Sequence, residues 1–349
     1  MFVSTTGLHA QAPVPRGQGP ALPPQNQERT PAAPRVGGTP VAVAPAPQAP
    51  TWFPQPVEHQ KYVDDVLKFW EQSSSKIERY RCQFTRWEYD PAFVKPDPKT
   101  NKSPAIKVSY GEIKYAQPDK GLFKVTKMLH YNAPKTPEDK AQYLPQEGEI
   151  GEHWVCDGKS IFEFDHPNKK LIDHQLPPDM HGKAIVDGPL PFLFGANAAK
   201  IQERYWVGVF TPKTAKGEYW LEAWPKRAED ARNYKKVEII IDEKDFLPKA
   251  IQIYNHGGVP GNPSSSVLTF EKREVNFSVS PLGKLDPLEL ANWVTREFHE
   301  PATPFGWKKE VERFNAVDGQ QGPANADLRK QTNQAMRSVP LPQIPLRRQ

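Results

Sequence analysis

The chain has 349 residues, including 39 prolines and 22 glycines, and its 46 lysines and arginines exceed its 41 aspartates and glutamates to give a net charge of +5. No run of residues approaches the ~18 consecutive apolar positions that a membrane helix needs, which excludes a multi-pass membrane protein. The positive charge is spread along the chain without an arginine stripe or a nucleic-acid-binding motif, so we expect no nucleic-acid partner.

The two ends of the chain differ in composition from the middle. Residues 11–50 are rich in proline, alanine, glutamine and glycine and offer almost nothing to bury, while all nine tryptophans lie after residue 50. We predict a disordered segment over 1–53, one folded domain over 54–317 and a disordered basic tail over 318–349.

Residues 1–12 contain the small residues Ala10 and Ala12 in the A-x-A pattern of signal-peptide cleavage sites. They lack a basic start and a full apolar segment, so we interpret them as the remnant of a longer signal peptide and expect the protein to be exported. The alternative is an ordinary Ala/Pro-rich tail.

The folded domain begins with a predicted helix over Val57–Gln72, in which apolar residues recur at helical spacing, and the serines Ser73–Ser75 mark its end. A short turn is predicted through Ile77–Tyr80. Three shorter helices follow much later in the chain. They are predicted over Ala196–Arg204, Ala228–Tyr234 and Pro287–Trp293.

Between the helices, the hydrophobic pattern has period two, which is typical of half-buried strands. The predicted strands are Arg81–Tyr89, Ile106–Tyr115, Leu122–Tyr131, His153–Cys156, Ser160–Asp165, Lys170–His174, Tyr205–Phe210, Glu218–Trp224, Lys236–Asp242, Lys249–Asn255 and Ser265–Asn276. This order of elements indicates an α+β fold with one wide antiparallel sheet, because no βαβ repeat occurs.

Turn residues separate several of the strands. Asp157-Gly158 is the strongest hairpin signal, and Asp165–Lys169 forms a longer turn. We predict a surface loop over Asn132–Gly151 and a long loop that opens at His256-Gly257-Gly258. Pro189–Gly195 is a compact apolar segment.

The sequence offers little that could carry catalysis. It contains no nucleotide-binding glycine motif and no nucleophile elbow. His166, His174 and His181 lie beside aspartates, but their spacing fits no common zinc pattern. We interpret the strand-borne acids, such as Glu88 and Glu163, as solvated, and we predict no catalytic residue, no cofactor and no metal.

Cys82 and Cys156 are too far apart in sequence for a redox or zinc motif. Each falls in a predicted strand, and the sequence leaves open whether they form a disulfide or are buried as free thiols.

Apolar and aromatic residues alternate along the strands and define faces. Phe162 shares one face of its strand with Phe164, and Trp220 shares another with Trp224. An apolar sheet face must be covered by helices or must bend around something, and the predicted helices are few. The pattern therefore leaves two interpretations open: a fully packed core, or a partly filled apolar concavity that suits a lipid tail.

Several local sequences resemble those of the LolA-like periplasmic carriers of outer-membrane lipoproteins. The hairpin Val155–Pro167 resembles their DGK motif followed by alternating aromatic residues, and Phe84 closes a strand after the first helix as in that family. Gly111–Pro118 followed by Leu122–Lys124 is similar to a strand pair of the family.

The downstream order is similar as well. Gly188–Gly195 stands where the family has a short lid helix, and the strands over Val237–Ile241, Ile251–Tyr254 and Ser265–Asn276 match its last strands. The resemblance covers about residues 55–280. The long N-terminus, the insertion at Asn132–Gly151 and the extended C-terminus look like those of an uncharacterised planctomycete family of such domains.

The resemblance implies a strongly curved antiparallel half-barrel whose apolar hollow, covered by helices, accepts acyl chains. We expect the following residues to line the hollow or its lid: Phe123, Phe162, Phe164, Leu190, Phe192, Leu193, Phe194, Trp220, Ile239, Ile251 and Phe270. The carriers have an arginine before the proline of the second strand that tethers the lid. Here Gln117 occupies that position, and it cannot make a charge-assisted contact.

The resemblance thus favours an exported, periplasmic, non-catalytic protein that binds a lipid or an acylated protein. We expect a monomer, peripheral to the membrane, that meets an envelope receptor. The alternative is an envelope scaffold with a fully packed half-barrel, whose Pro-rich and basic ends bind partners.

Overall fold

The computed structural model describes residues 47–94, 96, 102–134, 141–178, 181, 197–259, 261–278 and 287–313. These ranges cover most of the predicted domain 54–317, whereas nearly all of the segment 1–53 and all of the tail 318–349 lie outside them. The apolar segment Pro189–Gly195 also lies outside the described residues.

In the described part of the chain, 13 strands form one sheet, and four helices accompany it. The helices are α1 (Val57–Ser74), α2 (Ala198–Arg204), α3 (Ala228–Ala231) and α4 (Pro287–Glu297). The strands are β1 (Arg79–Tyr89), β2 (Lys107–Ala116), β3 (Lys120–Asn132), β4 (Gln142–Leu144), β5 (His153–Cys156), β6 (Ser160–Asp165), β7 (Lys170–Gln175), β8 (Tyr205–Val209), β9 (Glu218–Pro225), β10 (Lys236–Asp242), β11 (Pro248–Val259), β12 (Asn262–Val275) and β13 (Lys308–Arg313).

The sheet consists of two antiparallel meanders. Their order is β13-β7-β6-β5-β3-β2-β1-β12-β11-β10-β9-β8, with the short β4 beside β3, and β13 is parallel to β7. The two meanders meet where β1 pairs with β12, and the outer strands β8 and β13 do not pair with each other, so the sheet is open. The predicted α+β fold, built on one wide open antiparallel sheet, is confirmed.

Helix α1 covers one face of this sheet, which we call the inner face. The helical spacing selected Val63, Val66, Leu67 and Trp70, and these residues are at most 3% exposed. They belong to one core cluster with side chains of ten neighbouring strands, which run across the sheet from the edge strand β8 through β1 to β6. Ten flat strands would span about 43 Å, whereas the 18 residues of α1 make a helix about 27 Å long. The sheet therefore curves around its inner face as a half-barrel.

The residues before α1 cross the edge strand β8. The Trp52 indole N–H donates to Glu222 Oε1 at 3.0 Å, and Gln55 Nε2 donates to the Val207 carbonyl at 3.0 Å. This crossing supplies a partner to the exposed edge of the sheet, which would otherwise be open to pairing with other chains.

Four features differ from the sequence-based expectations. The predicted turn at Ile77–Tyr80 is shorter, because Asn276 Oδ1 accepts from the N–H groups of Glu78 and Arg79 and strand β1 starts at Arg79. The surface loop over Asn132–Gly151 contains β4. The loop expected at His256-Gly257-Gly258 is part of β11, where the positive φ angles of both glycines allow an irregular strand end.

The fourth difference is β13, which has no hydrophobic alternation to predict it. Its sequence is Lys-Lys-Glu-Val-Glu-Arg, and ion pairs attach it to β7. Lys170 contacts Glu310 at 2.8 Å, and Lys309 contacts Asp173 at 3.0 Å. A charged edge strand of this kind resists further strand addition.

Cys82 and Cys156 are both buried free thiols. They lie on β1 and β5, with β2 and β3 between them, which separates them by about 14 Å, well beyond the reach of a disulfide. Burial raises the pKa of each thiol to about 12. The alternative that the sequence left open is thereby decided in favour of free thiols.

Gly111 allows an aromatic ring to cross strand β2. It lies opposite Phe84 in the sheet, and a Cβ built at Gly111 would come within 2.4 Å of the Phe84 ring and 2.3 Å of the Lys124 carbonyl oxygen. Through this gap the Phe84 ring reaches Phe123 on β3 and stacks on it with 4.7 Å between ring centroids. A glycine is required at position 111 because the Phe84 ring and the β3 backbone approach it closely, and not because of its φ angle.

We predict that Gly111→Ala lowers the free energy of unfolding by about 3 kcal/mol, because neither the backbone of β3 nor the packed Phe84 ring can move away cheaply. The measurement is urea denaturation. Gly148→Ala is the control: nothing lies within 4 Å of its Cβ position, so it should cost only the left-handed strain of about 1–2 kcal/mol. Equal losses in the two variants would show that Gly111 is not a packing requirement.

Candidate functional site

The inner face brings together four of the residues predicted to line a hollow. Phe123, Ile239, Ile251 and Phe270 all belong to the core cluster beneath α1 and are between 1% and 5% exposed. They come from strands of both meanders, so the face is continuous across the β1–β12 junction. Their role in binding a ligand stays a prediction.

Phe162 and Phe164 do share a face of β6, as predicted, but it is the opposite, outer face. Cys156 of the inner face pairs with Ile161, so the next residue, Phe162, points away together with its partner Val155. Phe164 packs against the outer cluster covered by α4, which contains Ala116, Leu122, Val155, Trp293 and Phe298. A period of two shows which residues share a face but not which face is covered.

Trp220 also lies on the outer face. Its strand partner is Ile240, and it packs against the small cluster of Ile240, Ala250 and Val267, whereas the neighbouring Leu221 belongs to the inner core. The indole N–H of Trp220 donates to Glu218 at 2.9 Å. The expectation that Phe162, Phe164 and Trp220 line the same hollow as Phe123 is therefore wrong.

The predicted lid residues lie outside the described residues: Leu190, Phe192, Leu193 and Phe194. Gln117, at the position of the family's lid-tethering arginine, is exposed just after β2, and its backbone N–H donates to the Glu78 carbonyl at 2.8 Å. Any role of Gln117 toward a lid stays a prediction.

An aromatic row crosses the inner face from β1 to β5. The rings of Phe84 and Phe123 stack with centroids 4.7 Å apart, and those of Phe123 and Trp154 stack with centroids 5.8 Å apart and planes 10° apart. Phe84 and Phe123 are buried, and Trp154 is half-buried. The row presents flat apolar surfaces to whatever lies above the sheet.

A buried charged network lies beside the aromatic row. Arg86 and Glu88 follow Phe84 at every second position of β1, so they share the inner face and are 2% and 6% exposed. Arg86 Nη1 donates to Glu152 Oε2 at 2.8 Å, and its guanidinium carbon lies 5.7 Å from the centre of the Phe123 ring. Lys107 contacts Glu88 at 3.1 Å.

Burial raises the pKa of the Glu152 carboxyl above its ordinary value; Arg86 opposes this rise, and the nearby Glu163 carboxylate adds to it. The interpretation of Glu88 as a solvated acid is wrong. Charged residues at alternate strand positions look solvent-exposed in a sequence, and their buried partners, such as Glu152, are distant in the chain.

The three histidines singled out in the sequence make separate contacts. His174 is buried on the inner face between Glu163, at 3.4 Å, and Glu312, at 3.0 Å. His166 packs edge-on against Trp307, and His181 contacts the Leu176 carbonyl. Within the described ranges, no three His, Cys, Asp or Glu side chains are grouped so that they could hold a metal ion.

On the outer face, His153 stacks flat on Phe164 with 4.1 Å between ring centroids. Burial lowers the pKa of His153 from 6.5 to about 4, and the positive charge of Lys124 adds to the effect. Neutral His153 is therefore part of the folded structure at physiological pH.

This depressed pKa predicts a loss of stability in acid. Below pH 6.5 the unfolded chain binds a proton at His153, whereas the folded protein does so only near pH 4. The free energy of unfolding therefore falls by about 2–3 kcal/mol as the pH is lowered from 6.5 to about 4. Urea denaturation across this range should show a smaller loss in His153→Phe. The exposed His59→Gln is the control and should behave as the parent protein; an unchanged loss in His153→Phe would contradict the assignment.

Neither a protein-family model nor a curated protein matches the sequence. Solved structures are similar in fold. They include an uncharacterized conserved protein from Thermus thermophilus (8% identity, 72% of this chain and 99% of that chain, TM-score 0.37), a LolA superfamily protein from Nitrosomonas europaea (10%, 64% and 98%, 0.30) and LprF from Mycobacterium bovis (4%, 69% and 100%, 0.29). At these identities the likeness concerns the fold alone.

Among the helices that the structure describes, none has the length and apolar character needed to cross a bilayer.

Proposed function

We propose that the protein is an exported, non-catalytic binding protein that holds the acyl chains of a lipid or acylated protein against the inner face of its half-barrel. The observation that carries the proposal is the continuous apolar inner face that both meanders share, with the aromatic row at one part of it. Such a face offers contact to a long chain without requiring any reactive group.

The physical gain from binding is the removal of acyl CH₂ groups from water, which contributes about 0.8 kcal/mol for each group. The inner-face residues are buried in the described structure, so an acyl chain has to replace contacts that α1 and its neighbours make with the sheet. Binding thus requires that part of this cover moves away while the strands stay paired.

The cellular setting belongs to the same proposal. The A-x-A pattern at Ala10 and Ala12 and the resemblance to the LolA-like carriers support an extracytoplasmic, periplasmic location. There the protein is a monomer, peripheral to the membrane, that receives its acylated ligand and passes it to an envelope receptor.

The proposal predicts that acyl binding depends on the inner face and not on the outer one. Phe123 and Phe162 form a matched pair, because they are 4% and 2% exposed and lie on opposite faces. Phe123→Leu should weaken the binding of a fluorescent monoacylglycerol about fivefold, since it removes an aromatic ring that contacts the chain. Phe162→Leu should cost similar stability but leave binding unchanged.

The measurement is fluorescence titration of the two variants and the parent protein, with urea denaturation to compare their stabilities. Saturable binding that is weakened only by Phe123→Leu supports the proposal. An absence of saturable binding to the parent protein, or an equal effect of the two substitutions, would rule it out.

One observation favours the second candidate, an envelope scaffold with a packed half-barrel. The inner-face side chains of β9 to β11 are almost fully buried, with Leu221, Val237 and Ile241 at 1% exposure or less. In this alternative the Pro-rich N-terminal and basic C-terminal segments bind the partners, and the protein takes up no acyl probe.

A further inference from the structure

Two buried hydrogen-bond donors on the inner face lack an acceptor. Ser109 is 0% exposed and Arg86 is 2% exposed, and neither Ser109 Oγ nor Arg86 Nε has a hydrogen-bond partner among the residues that the structure describes. Arg86 and Ser109 lie directly opposite each other on β1 and β2 and share the inner face. The Cβ atoms of such a pair are about 5 Å apart.

The rest of the Arg86 guanidinium is held in place. Its Nη1 donates to Glu152, which lies beyond β2 and β3, so the side chain extends across β2 and then over the Phe123 ring. This path brings Nε over the strand that carries Ser109. Arg86 and Ser109, whose Nε and Oγ atoms have no acceptor among the described residues, therefore lie at paired strand positions next to the aromatic row.

Buried donors in folded proteins are nearly always satisfied, because a donor left without an acceptor loses its hydration and gains nothing in return. Nine buried side-chain atoms of the described residues lack a hydrogen-bond partner, and Arg86 and Ser109 are distinguished among them because they are two donors at directly paired positions of one sheet face. A molecule that brings one oxygen acceptor to this point satisfies both.

We propose that Ser109 and Arg86 bind the carbonyl oxygen of the ester or amide that joins an acyl chain to its head group. This inference rests on the proposed function and specifies the ligand: an acyl ester or amide rather than a hydrocarbon or a free fatty acid. The acyl chain then follows the aromatic row of Phe123 and Trp154.

The charges around the pair favour a neutral acceptor. Glu88 and Glu152 flank the Arg86 guanidinium, with Glu88 at 3.9 Å from Nη2 and Glu152 at 2.8 Å from Nη1. Lys107 contacts Glu88 at 3.1 Å, so the two cations of this network are already matched by two carboxylates. The carboxylate of a free fatty acid would add a buried negative charge without a cation of its own, which is costly. An uncharged carbonyl accepts the two hydrogen bonds without adding that charge.

The test compares two probes that differ only in the carbonyl. One is a monoacylglycerol, an ester, and the other is the corresponding monoalkylglycerol, an ether with a chain of the same length. Isothermal titration should show that the parent protein binds the ester about five- to tenfold more tightly. Oleate should bind more weakly than the ester.

Ser109→Ala should lower the ester-to-ether ratio about two- to threefold, to the value left by Arg86 alone, without changing the affinity for the ether. It should keep or raise the urea midpoint, since it removes a buried hydroxyl that has no partner among the described residues. Ser74→Ala is the matched control: Ser74 is 4% exposed, its Oγ also lacks a partner among the described residues, and it lies at the end of α1. It should leave the ratio unchanged.

The outcomes separate the two claims. If the parent protein binds ester and ether equally, or if Ser109→Ala keeps the full preference, the carbonyl site is wrong while acyl binding stands. If the parent protein binds neither probe, both the proposed acyl binding and the proposed carbonyl site are wrong.

Discussion

The pairing of β1 with β12 is the contact on which the rest of the structure depends. It joins residues that lie almost 200 positions apart, in a register that runs from Tyr80 opposite Val275 to Tyr89 opposite Ser265. Without it the two meanders would be separate sheets, each with a bare edge and with only part of the apolar face that α1 covers. Because this contact is so distant in sequence, the loop-closure entropy opposes it until the inner core forms around it.

Strand β1 supplies both apolar and charged side chains to the inner face. The same strand, β1, contributes Phe84 to the aromatic row and, two and four residues later, Arg86 and Glu88 to the buried network. A buried ion pair of this kind adds little net stability compared with apolar packing, because both charges lose their hydration. A charged network beside a row of stacked rings suits a site that contacts both the acyl chain and the polar part of an amphiphilic ligand.

Much of the fold could be predicted from the sequence, because local signals coincide with the structure. The observed bounds of β5, β6 and β10 equal those predicted from period-two alternation and turn residues. Helix α1 ends within the predicted triple serine. β4 and β13 could not be predicted in this way. β13 is almost entirely charged and is held by ion pairs to β7, a long-range feature that leaves no hydrophobic alternation in the strand itself.

The site was less predictable than the fold. Alternation groups Phe162 with Phe164, but only the pairing of Cys156 with Ile161 shows that this group faces outward. Ser109 and Arg86 gave no signal, since a serine and an arginine at alternate strand positions are typical of a solvated face. Their burial follows from Glu152, which lies 66 residues from Arg86, and from the glycine at position 111, which lets side chains of β1 cross β2.

The central claim is that the inner face holds an acylated ligand, and native mass spectrometry tests it most directly. Protein purified from the envelope of its own cells should carry a discrete added mass of lipid or lipopeptide size, and extraction with organic solvent should remove that mass. A bare polypeptide mass before extraction, together with no uptake of added acylated molecules afterwards, would contradict the claim and leave the inner face as a packed core.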